Sequence, residues 1–209
     1  MADQLYLSLW FPNFRLVALA PAIVGVLRQL ASAGSASTVT AAAVYPISWN
    51  EAPVYQRVYD STGDVEVDIE AAQPERAVAE AMEMLHEDYA YEFEVKWDLW
   101  VPETGGGLDT LWRQEPRALR VTGFGPEFDE GSYEQNGHIR IDFGTDAPFL
   151  QEDVTLEPEA ATHVQQNVQK LIDVTQAIQN NLAVSSRLLW SESGESLAEK
   201  LIARLQRLN

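Results

Sequence analysis

The side chains best suited to acid–base or metal chemistry are three histidines, and none of them stands in a recognised catalytic spacing. They are His86, His138 and His163. Glu83 and His86 have the spacing of half a carboxylate-bridged metal site, but that chemistry needs a second such pair on a facing helix and the sequence has none. Glu159 and His163 are four residues apart, as neighbours on one helix face are. The sequence therefore predicts no metal at these positions.

Carboxylates also crowd the segment 60–70, where they offer hard oxygen ligands of the kind that calcium prefers. The EF-hand pattern fails because Val65 occupies its glycine position and Ala71 the position of its bidentate glutamate. The alternation of acidic and apolar residues instead predicts a strand with one wet, acidic face. The acidic residues of this strand, which we consider candidates for binding a partner, are Asp64, Glu66, Asp68 and Glu70.

Motifs for nucleotide binding and nucleophilic catalysis are missing from the sequence. It contains no phosphate-binding glycine loop, no G-x-S-x-G elbow and no glycine fingerprint ahead of a helix. Cysteine is absent, which excludes disulfides, thiolate zinc sites and cysteine nucleophiles. With 32 acidic residues, no single carboxylate pair is informative about hydrolytic chemistry. We therefore expect no cofactor, and the sequence favours a protein that is not an enzyme.

Negative charge is concentrated in the middle of the chain. Residues 51–159 hold 27 Asp and Glu against 7 Lys and Arg, whereas the two ends together hold 5 against 7. Such a field repels nucleic acid and anionic lipid and attracts a basic protein surface. Beside the strand at 64–70, a second acidic cluster without a compensating base comprises Glu127, Asp129 and Glu130.

Two of the six tryptophans are further candidates for contact with a partner. Trp100 shares a strand face with charged residues, and Trp112 falls in a stretch of about fifteen residues, 102–116, that carries three consecutive glycines. Aromatic side chains among polar residues are candidate interface anchors, although a covering helix would explain them equally well. We predict that this stretch is a mobile loop, because ordering glycine is entropically costly.

The order of elements predicts an α+β fold with a mainly antiparallel sheet and helices on one face. Period-two alternation predicts strands near residues 4–11, 38–47, 54–59, 89–101, 119–124 and 138–143, with Asn136 and Gly137 as a hairpin turn before the last of these. Helical periodicity predicts helices at about 12–33, 74–88, 158–182 and after Ser196. The order resembles a ferredoxin-like βαββαβ core with an added hairpin and two carboxyl-terminal helices.

Length and composition predict one structural domain, with a sheet region at 1–157 and a helical extension at 158–209 that packs on the same core. The apolar stretch 16–27 is interrupted by Arg28 and is shorter than the roughly 20 residues of a membrane helix. The expected location is the cytoplasm, with no membrane association.

These features favour a non-catalytic binding domain that docks on a basic protein through its acidic middle region, in an inhibitor-like or immunity-like role. One alternative is a small-molecule-binding or hydrolytic domain with a pocket near 102–116 that uses His138. Another is a structural subunit that forms a homo-oligomer through its helical tail.

Overall fold

The fold is an antiparallel sheet of seven strands in the order β3-β2-β4-β5-β6-β1-β7. It is seen in a computed structural model that describes residues 2–33, 38–59, 72–103, 111–151, 157–194 and 196–206, without the side chains at 159 and 203–206. The strands are β1 (Gln4–Trp10), β2 (Val39–Pro46), β3 (Tyr55–Val58), β4 (Tyr89–Pro102), β5 (Trp112–Phe124), β6 (Ile139–Thr145) and β7 (Ser186–Ser191).

Six helices accompany the sheet in the described ranges, and the long ones pack on one of its faces. They are α1 (Leu19–Ala33), α2 (Pro74–Ala81), α3 (Ser132–Gln135), α4 (Ala147–Leu150), α5 (Pro158–Asn181) and α6 (Leu197–Gln206). The helix-covered face carries the alternate residues of β4 from Tyr91 to Val101, all of them buried. Gly123 of β5 lies directly under Leu19 and Ile23 of α1, where any side chain would collide with them. The predicted α+β class with an antiparallel sheet is confirmed.

The ferredoxin-like strand order is not confirmed. The sheet has more strands than that core, and β1 pairs with β6 and β7 on its two sides, both antiparallel. Strand β7 has no counterpart in the sequence-based prediction, because its residues SRLLWS do not alternate in polarity. The segment after residue 157 thus supplies a strand to the sheet as well as helices.

Two turn predictions differ from the structure. Within the predicted loop 102–116, Pro102 and residues 112–116 are strand, since β4 and β5 pair as far as Pro102 opposite Trp112. The three glycines fall in 104–110, outside the described part, so the predicted mobility of the loop stays a prediction. The connection from β5 to β6 spans residues 125–138 and includes α3, so Asn136 and Gly137 do not form a two-residue hairpin. Gly137 serves another purpose: a Cβ there would lie 2.8 Å from the carbonyl oxygen of Leu9 in β1.

Helix α5 protects the free edge of β4 beyond the end of β2. The side chain of Asn167, 2% exposed, accepts the Trp100 N–H at 2.9 Å and donates to the carbonyls of Trp100 and Pro148, each at 2.8 Å. Lys170 Nζ donates to the Asp98 carbonyl at 2.8 Å. These side chains replace the missing neighbouring strand, so the backbone of β4 is not left open to another chain.

A buried ion cluster ties the two ends of the described chain together. Lys200 Nζ of α6 lies 2.7 Å from Asp3 Oδ2 and 2.9 Å from Asp146 Oδ2, and Asp146 also accepts the Asp3 N–H at 3.0 Å. Hydrogen bonds from Lys200 and Ser193 lower the pKa of Asp3. Burial by itself lowers the pKa of Lys200, but the two carboxylates raise it above its ordinary value.

Among the described residues, one helical stretch, Leu16–Ala33, is long and apolar enough to cross a membrane by length and composition. A core helix passes the same test, and here Ile23, Val26 and Leu27 of this stretch are fully buried or nearly so. A cytoplasmic location stays a prediction.

Candidate docking surface

Three loops meet at the end of the sheet where β4 begins and β5 ends. Backbone hydrogen bonds join them: Ile47 N–H donates to Asp88 at 2.6 Å, Asp129 N–H to Ile47 at 2.8 Å, and Glu127 N–H to Glu87 at 2.8 Å. The loops are residues 47–53, 82–88 and 125–136, and we name this surface the acidic end. Because each loop is bonded to another, the surface behaves as one unit.

Gly125 makes the closest of these approaches possible. A Cβ at this position would lie 2.2 Å from the carbonyl oxygen of Glu87, well inside any real contact distance. Its N–H donates to the Tyr89 carbonyl at 2.7 Å. Gly125 is therefore needed for the contact between the loops 82–88 and 125–136.

A small aromatic core supports the acidic end from below. Phe124 and Phe128 are fully buried together with Ala90, and the Trp49 ring meets the Phe128 ring edge-on at 5.2 Å. Tyr45 packs against Trp49 at 5.1 Å. This cluster is separate from the main core, and it anchors the loops 47–53 and 125–136 to the sheet.

The acidic end carries eight carboxylates and no lysine or arginine. The carboxylates are those of Glu51, Glu83, Glu87, Asp88, Glu127, Asp129, Glu130 and Glu134. Six of the eight residues are exposed, and Asp88 and Asp129 are half-buried. The electrostatic potential of this surface is therefore strongly negative and uncompensated by any cation within its own loops.

Two exposed apolar side chains stand among these carboxylates. Ile47 is 59% exposed and Met84 is 68% exposed. Ile47 also has a φ of +62°, in the left-handed region that β-branched residues strongly disfavour. The hydrogen bonds that Ile47 makes to Asp88 and Asp129 hold it there. A conformation of this kind costs free energy and concentrates at functional positions.

The site residues predicted from the sequence are two acidic clusters and two tryptophans. Glu127, Asp129 and Glu130 lie at the acidic end, beside carboxylates of two loops distant in sequence. The strand candidates Asp64, Glu66, Asp68 and Glu70 lie outside the described residues. Sequence reasoning missed Ile47 and Met84, whose exposure depends on loop packing; only the absence of any base in all three segments was readable beforehand.

Trp100 and Trp112 lie at the opposite end of the β4–β5 hairpin, away from the acidic end. The His163 ring of α5 lies 4.1 Å from the Trp100 ring and 5.3 Å from that of Trp112, measured between centroids. Both tryptophans are half-buried. The covering helix thus accounts for Trp100, and the two tryptophans lie apart from the described acidic candidates Glu127, Asp129 and Glu130.

His138 is held as a neutral ring. Its Nδ1 accepts the Phe11 N–H at 3.0 Å, and its ring lies between Phe14 at 4.4 Å and Tyr133 at 4.5 Å. Burial lowers the pKa of His138 to about 4. The His138 carbonyl accepts the Phe124 N–H at the end of β5, whereas residues 112–116 form the start of that strand. His138 therefore lies at the other end of β5 from the described part of the stretch 102–116.

In the described part of the chain, no group of three or more histidine and carboxylate side chains is placed to hold a metal ion. Comparison of the chain with protein-family models, curated proteins and solved structures finds no match. The geometry of the acidic end is accordingly the basis for a functional conclusion.

Proposed function

We propose that this protein is a non-catalytic binding domain that docks on a basic protein partner through the acidic end. The observation that carries the proposal is the joining of three loops into one surface with eight carboxylates, no base and two exposed apolar side chains. Carboxylates at the rim accelerate encounter with a positively charged surface. Ile47 and Met84 supply the apolar contact that slows dissociation.

The first test neutralises the loop 125–136 in the variant E127Q/D129N/E130Q. Association with the basic partner should slow about tenfold at low salt, and the difference should shrink as salt screens the charges. Proteins captured on the immobilised wild type are purified, and their association and dissociation rates are measured at several salt concentrations. A second variant neutralises Asp64, Glu66, Asp68 and Glu70 to assess the other predicted acidic cluster.

A charge-matched control separates local electrostatics from net charge. The variant E157Q/D173N/E192Q removes three carboxylates of the exposed surface away from the acidic end. It should retain the wild-type association rate. Equal rates for all variants, or association that does not depend on salt, would contradict the proposal and leave the acidity as a solubility feature.

Ile47→Asn tests the apolar contact. Asparagine tolerates the left-handed conformation better than isoleucine, so the free energy of unfolding should rise by about 1 kcal/mol. Loss of the apolar side chain should at the same time speed dissociation of the partner about tenfold. Chemical denaturation and binding kinetics measure the two effects. A variant that is more stable and binds unchanged would exclude Ile47 from the docking surface.

A further inference from the structure

A cavity opens where β5 and β6 separate. The two strands pair as far as Arg120 opposite Asp142 and then diverge. The space between them has a volume of about 290 Å³, which is near the lower end of small-molecule pockets and equals roughly ten water molecules. We name it the fork cavity. It lies at a distance from the acidic end, on the other side of the pairs that join β5 to β6.

Two arginines line the fork cavity without close partners. Arg117 lies 3.5 Å from Glu115, and Arg120 lies 4.0 Å from Glu94. Both separations exceed the 2.7–2.9 Å of a charge-assisted hydrogen bond between guanidinium and carboxylate. The guanidinium groups therefore keep donors available. Arg117 lies on the sheet face of Trp97, which the helices cover, whereas Arg120 lies on the opposite face with Glu94.

The backbone of β5 adds a donor. Lys170 and Asn167 bind the polar backbone groups of Asp98 and Trp100 on the α5 side of β4. In an antiparallel pair, the backbone N–H and C=O of two residues that lie opposite each other either both point toward the other strand or both point away from it, and the two cases alternate along the strands. By that alternation Ala118, which lines the cavity, directs its N–H away from β4 and toward the fork.

Behind the cavity wall lies a further donor. Trp97 is 1% exposed, and its indole N–H has no hydrogen-bond acceptor among the described residues. It pairs across the strands with Arg117, and its ring lies 5.6 Å from that of Phe143, two residues that line the cavity. Buried donors are nearly always satisfied in native proteins, so an acceptor is expected near this site.

The geometry points to a binding site for a small organic monocarboxylate in the fork cavity. The guanidinium of Arg117 and the Ala118 N–H match a carboxylate, which arginine recognises through two parallel hydrogen bonds. Phe143 and Pro148 form an apolar wall that accommodates a short hydrocarbon body. Asp142 also lines the cavity and disfavours a doubly charged phosphate.

Titration of isotope-labelled protein with benzoate, butyrate and inorganic phosphate tests the site by nuclear magnetic resonance. Benzoate or butyrate should shift the amide signals of Ala118 and Gly144 and the indole signal of Trp97 in a saturable way. The variant Arg117→Ala should bind at least tenfold more weakly. Arg113→Ala, on the same strand but outside the cavity lining, should bind as the wild type does.

Three results would overturn the inference. The first is no saturable shift with either carboxylate. The second is equal binding by wild type and Arg117→Ala, which would show that Arg117 takes no part. The third is phosphate binding as strong as that of the carboxylates, since the apolar wall would then contribute nothing. None of these results bears on the acidic end, so the two proposals fail or survive independently.

Discussion

At the scale of single residues, His138 shows how the fold sets a protonation state. Its Nδ1 accepts a backbone N–H, and two aromatic rings cover its faces. Protonation would break that hydrogen bond and place a charge between apolar rings. His138 is therefore a structural histidine whose neutral form the native state requires.

His138 consequently makes stability depend on pH. Its pKa is lowered to about 4 in the folded protein, against about 6.5 when unfolded, so between these values the unfolded chain binds the extra proton. The free energy of unfolding should fall by about 1 to 2 kcal/mol as pH drops from 6.5 to 4, a range that allows for partial exposure. Urea denaturation at several pH values measures this loss.

His138→Asn provides the comparison, because its side-chain oxygen can accept the Phe11 N–H but does not titrate. The variant should show a smaller loss of stability over the same pH range. If the two proteins lose stability in parallel, other groups are responsible and the assignment to His138 fails.

Residue types alone revealed some of these features and concealed others. The acidity of Glu127, Asp129 and Glu130 and the absence of neighbouring bases were visible in the sequence. The left-handed conformation of Ile47 was not, because three loops distant in sequence determine it together. A backbone held by tertiary hydrogen bonds leaves no local signature.

At the scale of elements, Asn167 is the side chain on which the edge of β4 depends. It satisfies three backbone groups while nearly fully buried. Asn167→Ala should lower the free energy of unfolding by about 3 kcal/mol, because buried donors and acceptors lose their partner. It should also increase self-association, since the strand edge becomes available for pairing.

Thermal denaturation and light scattering measure the two effects. Gln166→Ala is the matched control, because its side chain is exposed on the same helix. It should change stability by less than about 0.5 kcal/mol. An Asn167→Ala protein that is as stable and monodisperse as the control would show that water replaces the side chain at no cost.

Elements with strong periodicity were predictable, and weakly patterned ones were not. Strand β4 alternates over its whole length, and α5 carries one apolar stripe. The outer half of β5, from Trp112 to Ala118, lies outside the predicted strands, and its residues up to Pro116 fall in the predicted loop; Arg, Gln, Glu and Pro dominate this half. Pairing with β4 forms that half, and such pairing overrides local propensity. The order of the strands in the sheet was not predictable. Alternation of polarity shows which face of a strand is buried, but it does not show which strands pair with it.

At the scale of the whole molecule, the Lys200 cluster determines how firmly α6 is attached. Lys200→Met leaves Asp146, 2% exposed, without its cation, so the free energy of unfolding at neutral pH should fall by about 3 to 5 kcal/mol. Chemical denaturation of the two proteins at pH 7 measures the difference.

The same variant should respond differently to acid. Because the pKa of Asp3 is lowered from 3.8 when folded, its contribution to stability is present above that value and is lost as pH falls through the lowered pKa. Wild type and Lys200→Met should therefore converge in stability below about pH 4. A difference that stays constant down to acid pH would show that packing of the lysine chain, rather than its charge, is responsible.

The place of β1 between β6 and β7 has a consequence for synthesis of the chain. Strand β1 is synthesised before β7, and its contacts reach 182 residues along the sequence, from Ser8 to Trp190. Translation at 5 to 20 residues per second implies that β1 waits about 10 to 40 s for its last neighbour. During that interval β1 and the apolar α1 remain without their full cover. We expect β1 and α1 to expose apolar surface for longer during synthesis than the strands whose neighbours lie close in sequence.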